Sequence, residues 1–198
     1  MSKYIEAIKG KKVFLFYPPG PMYQRGEDRS QGNISDSAAT VMRAPNDMGY
    51  ASAILKQMGC KVKFIDFQTE KKTRDDLFSI FNEYQPDVLV VSITNSTIFS
   101  DLEIINELKI IKSSIVVILK GALFFDSPPK VIKSLELKNI DYLIGGEIEF
   151  AIGSIFKAHY INPELIASIP GILSKDGEGT WKKSFFGSWD SGVDDIPF

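Results

Sequence analysis

The chain alternates between short runs of apolar residues and longer segments in which apolar residues recur every three or four positions. The first run, VFLFY at 13–17, is ended by Pro18-Pro19-Gly20. A run without polar alternation is typical of a strand covered on both faces, as in a parallel sheet. Further strands are predicted over 62–67, 87–93, 115–119 and 142–144.

Amphipathic helices are predicted between these strands and after the last one. Asn46 is a suitable cap for the first helix, and Thr73 with Asp76 forms a capping pair for the second. Five strands alternating with five helices predict an α/β, flavodoxin-like (Rossmann-like) three-layer sandwich. Its default sheet is five-stranded and parallel, in the order 2-1-3-4-5. The predicted helices span 46–58, 73–84, 100–111, 128–135 and 147–159.

Two segments fall outside this alternation. Residues 22–45 are polar, and a connection of this length is either functional or evidence against the element assignment. Residues 171–175 and 180–184 flank Asp176-Gly177-Glu178-Gly179, which predicts a small β-hairpin. We therefore divide the chain into an α/β domain over 1–160 and a hairpin with a linker over 161–198.

Composition excludes several classes of function. The 198 residues carry a formal net charge of −2, which argues against a nucleic-acid partner. No apolar stretch reaches the roughly 18 residues of a membrane span. The single cysteine, Cys60, and the single histidine, His159, exclude a disulfide and a metal site built on thiolate or imidazole clusters. A reducing cytoplasm is the expected compartment.

Ligands of open parallel sheets bind beyond the carboxyl ends of the strands, so the residues at those ends are the candidate site. Pro19 and Gly20 follow the first strand; they are either a plain terminator or a surface that a ligand approaches closely. Ser92, Thr94 and Asn95 belong to a hydroxyl-rich run after the third strand. That run suits a phosphate or ring nitrogen, whereas helix capping needs only one such residue.

Glycines recur at the next two strand ends. Gly121 follows the fourth strand, and Gly145, Gly146 and Glu147 follow the fifth. Such residues either form tight β-to-α turns or leave room for a flat ligand, and their recurrence favours the ligand. The sequence has no GxGxxG, P-loop, phosphoacceptor aspartates or Ser-His-Asp arrangement, and it predicts no catalytic residue and no metal ligand.

Six motifs in order resemble the N-terminal cobalamin (B12)-binding domain of B12-dependent radical SAM enzymes of the methylase or cyclase type. They are the Pro18-Pro19 strand exit, PNDMGYASAILKQMG at 45–59, PDVLVVS at 86–92, DYLIGGEIE at 141–149, the hairpin, and DDIPF at 194–198. Their order and spacing together are more specific than any one of them.

The resemblance implies a cobalamin at the carboxyl edge of the sheet, with its nucleotide tail inserted beside strands three to five. Pro19 and Gly20 would face the corrin, and Glu147 would follow the tail's slot at the start of the fifth helix. The slot itself would be lined by Ser92, Thr94, Asn95, Gly121, Gly145 and Gly146. The resemblance further implies a C-terminal radical SAM domain of the same polypeptide, and the [4Fe–4S] cluster and S-adenosylmethionine would belong to that domain. In the full-length protein, the corrinoid would serve methyl transfer or cyclisation.

The sequence departs from that family pattern at four places, one of which is Ile148 in place of the second glycine of the family's GEGE motif. The cobalt-ligating histidine of mutase-type domains is missing after the first strand, so the cobalamin would be base-off without a histidine ligand. Lys120 stands where the family often has a glycine, and it either meets the tail's phosphate or blocks the slot. The sequence also lacks CxxxCxxC, so we expect the chain to be the front part of a longer enzyme. Two alternatives stay open: a degenerate scaffold domain that binds no cobalamin, and a flavodoxin-like flavin or nucleotide binder.

Overall fold

The computed structural model describes residues 6–20 and 44–184. Within them, seven strands form one mixed sheet in the order β2-β1-β3-β4-β5-β6-β7. The first five are parallel and follow the predicted order 2-1-3-4-5. The strands are β1 Lys12–Tyr17, β2 Lys61–Asp66, β3 Val88–Ser92, β4 Val116–Lys120, β5 Tyr142–Ile144, β6 Ile172–Lys175 and β7 Trp181–Lys183.

Helices connect the parallel strands and cover both faces of the sheet. A short helix after β4 and a 3₁₀-helix over Pro163–Ser168 were not predicted. The α-helices are α1 Asn46–Gln57, α2 Arg74–Tyr84, α3 Ile98–Ile111, α4 Leu123–Asp126, α5 Pro129–Ser134 and α6 Ile148–Tyr160.

Local capping chemistry was predicted at the start of two of these helices. The predicted pair at α2 is confirmed as a capping box: Asp76 N–H donates to the Thr73 hydroxyl, and Thr73 N–H donates to the Asp76 carboxylate. The predicted role of Asn46 is wrong. Pro45 occupies the cap position of α1 without a side-chain hydrogen bond, and Asn46 is already helical. A proline side chain has no acceptor atom, so it supplies no capping hydrogen bond to the first turn of the helix.

Alternation along the strands sorts the core into two layers. Val13, Leu15, Val88, Val90 and Ile118 point toward α1 and α6 and belong to one buried cluster. The intervening residues of the same strands point toward α2, α3 and α5 and belong to the other. Because successive side chains of a strand alternate between faces, each strand-end residue is assigned to one layer by its register.

The predicted hairpin is confirmed, and it extends the sheet. β6 pairs antiparallel with β5, and β7 with β6. The hairpin thereby covers the edge that β5 would otherwise expose. The division at residue 160 stays a prediction, as does the linker. The linker residues 194–198 and nearly all of the 22–45 connection lie outside the described residues.

None of the described helices has the length and apolar character that crossing a membrane requires.

Candidate functional site

The last residues of three neighbouring strands carry polar side chains on one face of the sheet. Tyr17 ends β1, Ser92 ends β3 and Lys120 ends β4, and Ser92 is in register with Lys120. Each stands two positions after a residue of the layer under α1 and α6, so by alternation all three belong to that layer. Tyr17, Ser92 and Lys120 are buried. The carboxyl edge therefore places a polar set beneath these two helices.

The Lys120 side chain crosses this face to the first turn of α1. Its ammonium donates to Asp47 Oδ2, across 73 positions of sequence. The other carboxylate oxygen, Asp47 Oδ1, accepts a hydrogen bond from the Tyr17 hydroxyl at 2.6 Å and one from Met48 N–H at 2.8 Å. Both oxygens of Asp47 are therefore paired. The three side chains tie the ends of β1 and β4 to α1.

The electrostatics of Asp47 follow from this arrangement. Burial acts to raise the pKa of Asp47, but the Lys120 charge and the hydrogen bonds from Lys120, Tyr17 and Met48 outweigh it. The net pKa lies below its ordinary value of 3.8. The Asp47 carboxylate is thus ionised at neutral pH, in a partly buried position.

A second carboxyl lies near this pair. Glu149, in the first turn of α6, interacts electrostatically with Lys120, Asp47 and Glu147. Burial is the largest cause that raises the pKa of Glu149, and the two neighbouring carboxylates add to it while Lys120 opposes it. Glu149 Oε2 is buried and has no hydrogen-bond partner among the described residues. The site therefore holds one ammonium among several acidic groups.

The hydroxyl-rich loop after β3 is tied to a buried acid. Thr94 Oγ1 lies 2.8 Å from Thr97 Oγ1, and Thr97 Oγ1 donates to Asp101 Oδ2 at 2.7 Å. Thr94 N–H also donates to Asp101. Burial raises the pKa of Asp101 to about 7, and these hydrogen bonds oppose the shift. Because the hydroxyls already bond within the loop and an acid stands beside them, the loop is poorly suited to a phosphate.

The glycines predicted to leave room for a ligand contact the chain itself. A Cβ at Gly145 would lie 2.4–2.5 Å from backbone atoms of Phe124 and Phe125. One at Gly121 would lie 3.0 Å from Ile93 Cγ1. Both contacts are with residues of the α3 and α5 layer, opposite the Lys120 side chain. Gly146 instead stands over Gly171, whose Cα would lie 3.8 Å from an added Cβ.

The remaining predicted positions lie at the surface of the same edge. An added Cβ at Gly20 would meet nothing within 4 Å in the described part of the chain. Asn95 and Glu147 are exposed, and Pro19 and Thr94 are half-buried. The predicted set is thus distributed over both layers and the rim of the sheet. Of the predicted strand residues, Ser92 lies in the same layer as Lys120.

Sequence reasoning missed Tyr17, Asp47, Glu149 and Asp101. A signal existed for the ion pair: Lys120 ends the apolar run VVIL, and a charge at a buried strand end requires a partner. Asp101 stands among Ile98, Leu102 and Ile105 at helical spacing, which places an acid on the apolar side of α3. The identity of the Lys120 partner could not be read from either pattern.

Comparison with known proteins places the chain in a family. The sequence model of the B12 binding domain matches residues 45–155, more than half of the chain. The chain therefore belongs to the B12 binding domain family. None of the curated proteins compared with the chain matches its sequence.

Solved structures show the same fold. The cobalamin-dependent S-adenosylmethionine radical enzyme OxsB with aqua-cobalamin and S-adenosylmethionine bound superposes with a TM-score of 0.65 at 18% identity. The selenomethionine-labelled apo form of OxsB gives 0.66 at 16% identity. In both cases the match covers 93% of this chain and 23% of the OxsB chain. The chain thus spans about a quarter of the length of this relative.

The residues at the edge fit one part of a cobalamin and not another. A flat corrin ring needs an accessible surface at the strand ends, and Gly20 offers open space there. A nucleotide tail beside strands three to five, as the family resemblance implies, would need depth between the sheet and the helices that cover it. Lys120 and Asp47 occupy part of that depth on the side of α1, and the chain itself takes the space at Gly121 and Gly145. With Lys120 paired to Asp47, these residues therefore do not fit an inserted tail.

Proposed function

We propose that this domain binds a corrinoid, base-off and without a histidine ligand, at the carboxyl edge of its sheet. Membership of the B12 binding domain family carries the proposal, because the matched residues 45–155 include the ends of β2, β3, β4 and β5. Ligands of open parallel sheets bind at that edge. The predicted contacts Pro19, Gly20, Ser92, Thr94, Asn95 and Glu147 lie along it.

The position of His159 supports binding without a histidine ligand. It is the single histidine of the chain, and it lies in the last turn of α6. His159 Nδ1 is 2.9 Å from the hydroxyl of Tyr142, the first residue of β5. Strand beginnings and strand ends lie at opposite edges of a parallel sheet, so this imidazole is remote from the proposed corrinoid.

The likeness to OxsB supports a further part of the proposal, that the corrinoid serves a radical SAM enzyme. OxsB is a cobalamin-dependent S-adenosylmethionine radical enzyme, and the present fold corresponds to 23% of its chain. We propose that the full-length protein adds a radical SAM domain that holds a [4Fe–4S] cluster and S-adenosylmethionine. Cobalt in such an enzyme supplies methyl-transfer or cyclisation chemistry, and this domain would hold the corrinoid in place.

The first experiment is a visible absorption titration of the purified domain with hydroxocobalamin, followed by gel filtration. We expect a base-off spectrum that co-elutes with protein and is unchanged in His159→Gln. Failure of wild type to retain hydroxocobalamin, and equally a corrinoid without the lower nucleotide, at high micromolar concentration would remove the proposal. A spectrum that changes in His159→Gln would show that this imidazole ligates cobalt.

A second candidate is a scaffold domain of the same family that no longer binds the cofactor. The Lys120–Asp47 ion pair favours it, because a partly buried pair of charges with internal partners stands at the strand ends where the resemblance implies the tail. Retention of any corrinoid through gel filtration excludes this candidate.

A further inference from the structure

We propose that the Asp47–Lys120 ion pair makes the domain selective among corrinoids, favouring those that lack the lower nucleotide over complete cobalamin. Cobinamide is such a corrinoid: it has the ring and cobalt but neither the lower base nor its ribose phosphate. The inference rests on the proposed function and adds the class of corrinoid that the edge accepts.

The pair lies across the path that a nucleotide arm would take. Lys120 is in register with Ser92 on β3 and with Ile144 on β5, so it lies between the ends of these two strands. Its side chain is 11% exposed and that of Asp47 is 24% exposed. The ammonium reaches from β4 to α1, which closes the gap between the sheet and that helix. An arm that enters here must first displace it.

Displacement of the ammonium is unfavourable because Asp47 would lose its countercharge. The carboxylate would keep only the Tyr17 hydroxyl and Met48 N–H. Separating two partly buried opposite charges leaves each without compensation in a region of low dielectric. The free energy needed to open the pair weakens the binding of any ligand that requires the opening.

The charge of the arm adds to this effect. The nucleotide arm carries a phosphodiester anion, and two acids interact with Lys120: Asp47, which is its ion-pair partner, and Glu149. An anion placed among these acids is repelled unless Lys120 leaves Asp47 to pair with it, and then Asp47 is left without its cation. A corrinoid without the phosphodiester meets neither cost, because its ring needs only the strand ends.

The opposite layer gives the arm no alternative path. Ile93 and Phe124 lie against Gly121, and the backbone of Phe124 and Phe125 lies against Gly145. Backbone atoms cannot rotate away as a lysine side chain can. Within the described residues, the ion pair is therefore a side-chain barrier at this edge that can move without displacement of the backbone.

The test compares the dissociation constants of diaquocobinamide and hydroxocobalamin, measured by visible absorption, for wild type and three variants. Wild type is expected to bind cobinamide at least about tenfold more tightly, a difference of about 1.4 kcal/mol. Lys120→Ala removes the crossing side chain, and Asp47→Asn releases the ammonium with little change in volume. Both substitutions should lower the dissociation constant of hydroxocobalamin about tenfold relative to wild type. They should change the dissociation constant of cobinamide by less than about threefold. Lys182→Ala breaks the exposed Lys182–Asp176 pair on the hairpin and should leave both constants unchanged.

The outcomes separate the two proposals. Equal or tighter binding of hydroxocobalamin by wild type, with no gain in either open variant, overturns the selectivity and leaves corrinoid binding in place. Absence of binding of both corrinoids to wild type and to all variants removes corrinoid binding itself, and the selectivity with it. Asp47→Asn keeps the Lys120 side chain and changes little in volume. It therefore still tests the selectivity if Lys120→Ala does not fold.

Discussion

The Thr97 hydroxyl donates a 2.7 Å hydrogen bond to the carboxylate of Asp101, one helical turn further along α3. Asp101 is only 3% exposed and also accepts from Thr94 N–H. This acid thereby fixes the loop between β3 and α3, which follows the strand end at Ser92. The same relationship makes the loop sensitive to pH, because burial raises the pKa of Asp101 to about 7.

Asp101 should give the domain a free energy of unfolding that falls as pH rises. Its folded pKa of about 7 exceeds its ordinary value of 3.8, so the folded state binds the proton more tightly. The stabilisation is complete below about pH 4 and is lost as pH rises to about 7, at roughly 1.4 kcal/mol for each pH unit. Urea unfolding at pH 5 and pH 8 should show this difference in wild type and little of it in Asp101→Asn. An identical pH dependence in both proteins would contradict the assignment.

The Asp47–Lys120 pair should show strong coupling in a double-mutant cycle. Asp47→Asn and Lys120→Met should each cost about 2–3 kcal/mol, less than a fully buried pair because both groups keep some solvent contact. The double variant should cost less than the sum of the two single-variant costs, by about 1 kcal/mol or more. Since the pKa of Asp47 lies below 3.8, the coupling should persist above about pH 4 and decline as pH falls.

A matched cycle on the exposed Arg74–Glu107 pair is the control for that experiment. Both of its side chains are at least 40% exposed, so its coupling should stay below about 0.5 kcal/mol. Equal coupling energies for the two pairs would show that Lys120 is no more constrained than a surface lysine.

Gly145→Ala should destabilise the domain by about 1–3 kcal/mol or more, because the new methyl group would overlap the backbone between Phe124 and Phe125. Gly177→Ala is the control, since an added Cβ in that hairpin turn meets nothing within 4 Å in the described structure. The urea unfolding midpoints of the two variants, each compared with wild type, measure this difference. A neutral Gly145→Ala would show that the β5 exit has the free space that the sequence pattern indicated.

Glu149→Met should be neutral or stabilising at pH 8 in the domain without cofactor. Glu149 Oε2 is buried without a hydrogen-bond partner within the described chain, and burial raises the pKa of this carboxyl. Replacing it by an apolar side chain of similar length removes an unsatisfied group worth roughly 1 kcal/mol. The gain should shrink as pH falls, because protonation of Glu149 removes the same penalty in wild type. A loss of stability at pH 8 would reveal a partner for Glu149 beyond the described residues.

The strand and helix order could be predicted because the required information is local. The run VFLFY, the capping pair Thr73 and Asp76, and the glycine turn at 176–179 each specify their element through neighbours a few residues away. The short helix α4 and the 3₁₀-helix were missed because segments of four to six residues carry too few periods to be recognised. The sequence pattern also did not indicate that the hairpin would pair with β5.

The sequence predicted which residues would meet at the carboxyl edge of the sheet, but not which of them would pair. The sequence by itself determined that small and polar residues would meet at the carboxyl ends of the strands, since parallel strands place their ends together. Only the tertiary structure decided that Lys120 pairs with Asp47, and that Gly145 lies directly against the backbone of Phe124 and Phe125. The physical reason is that side-chain direction along one strand repeats every two residues. Which helix turn or loop that side chain meets depends on how separate layers pack, and no local repeat records that packing.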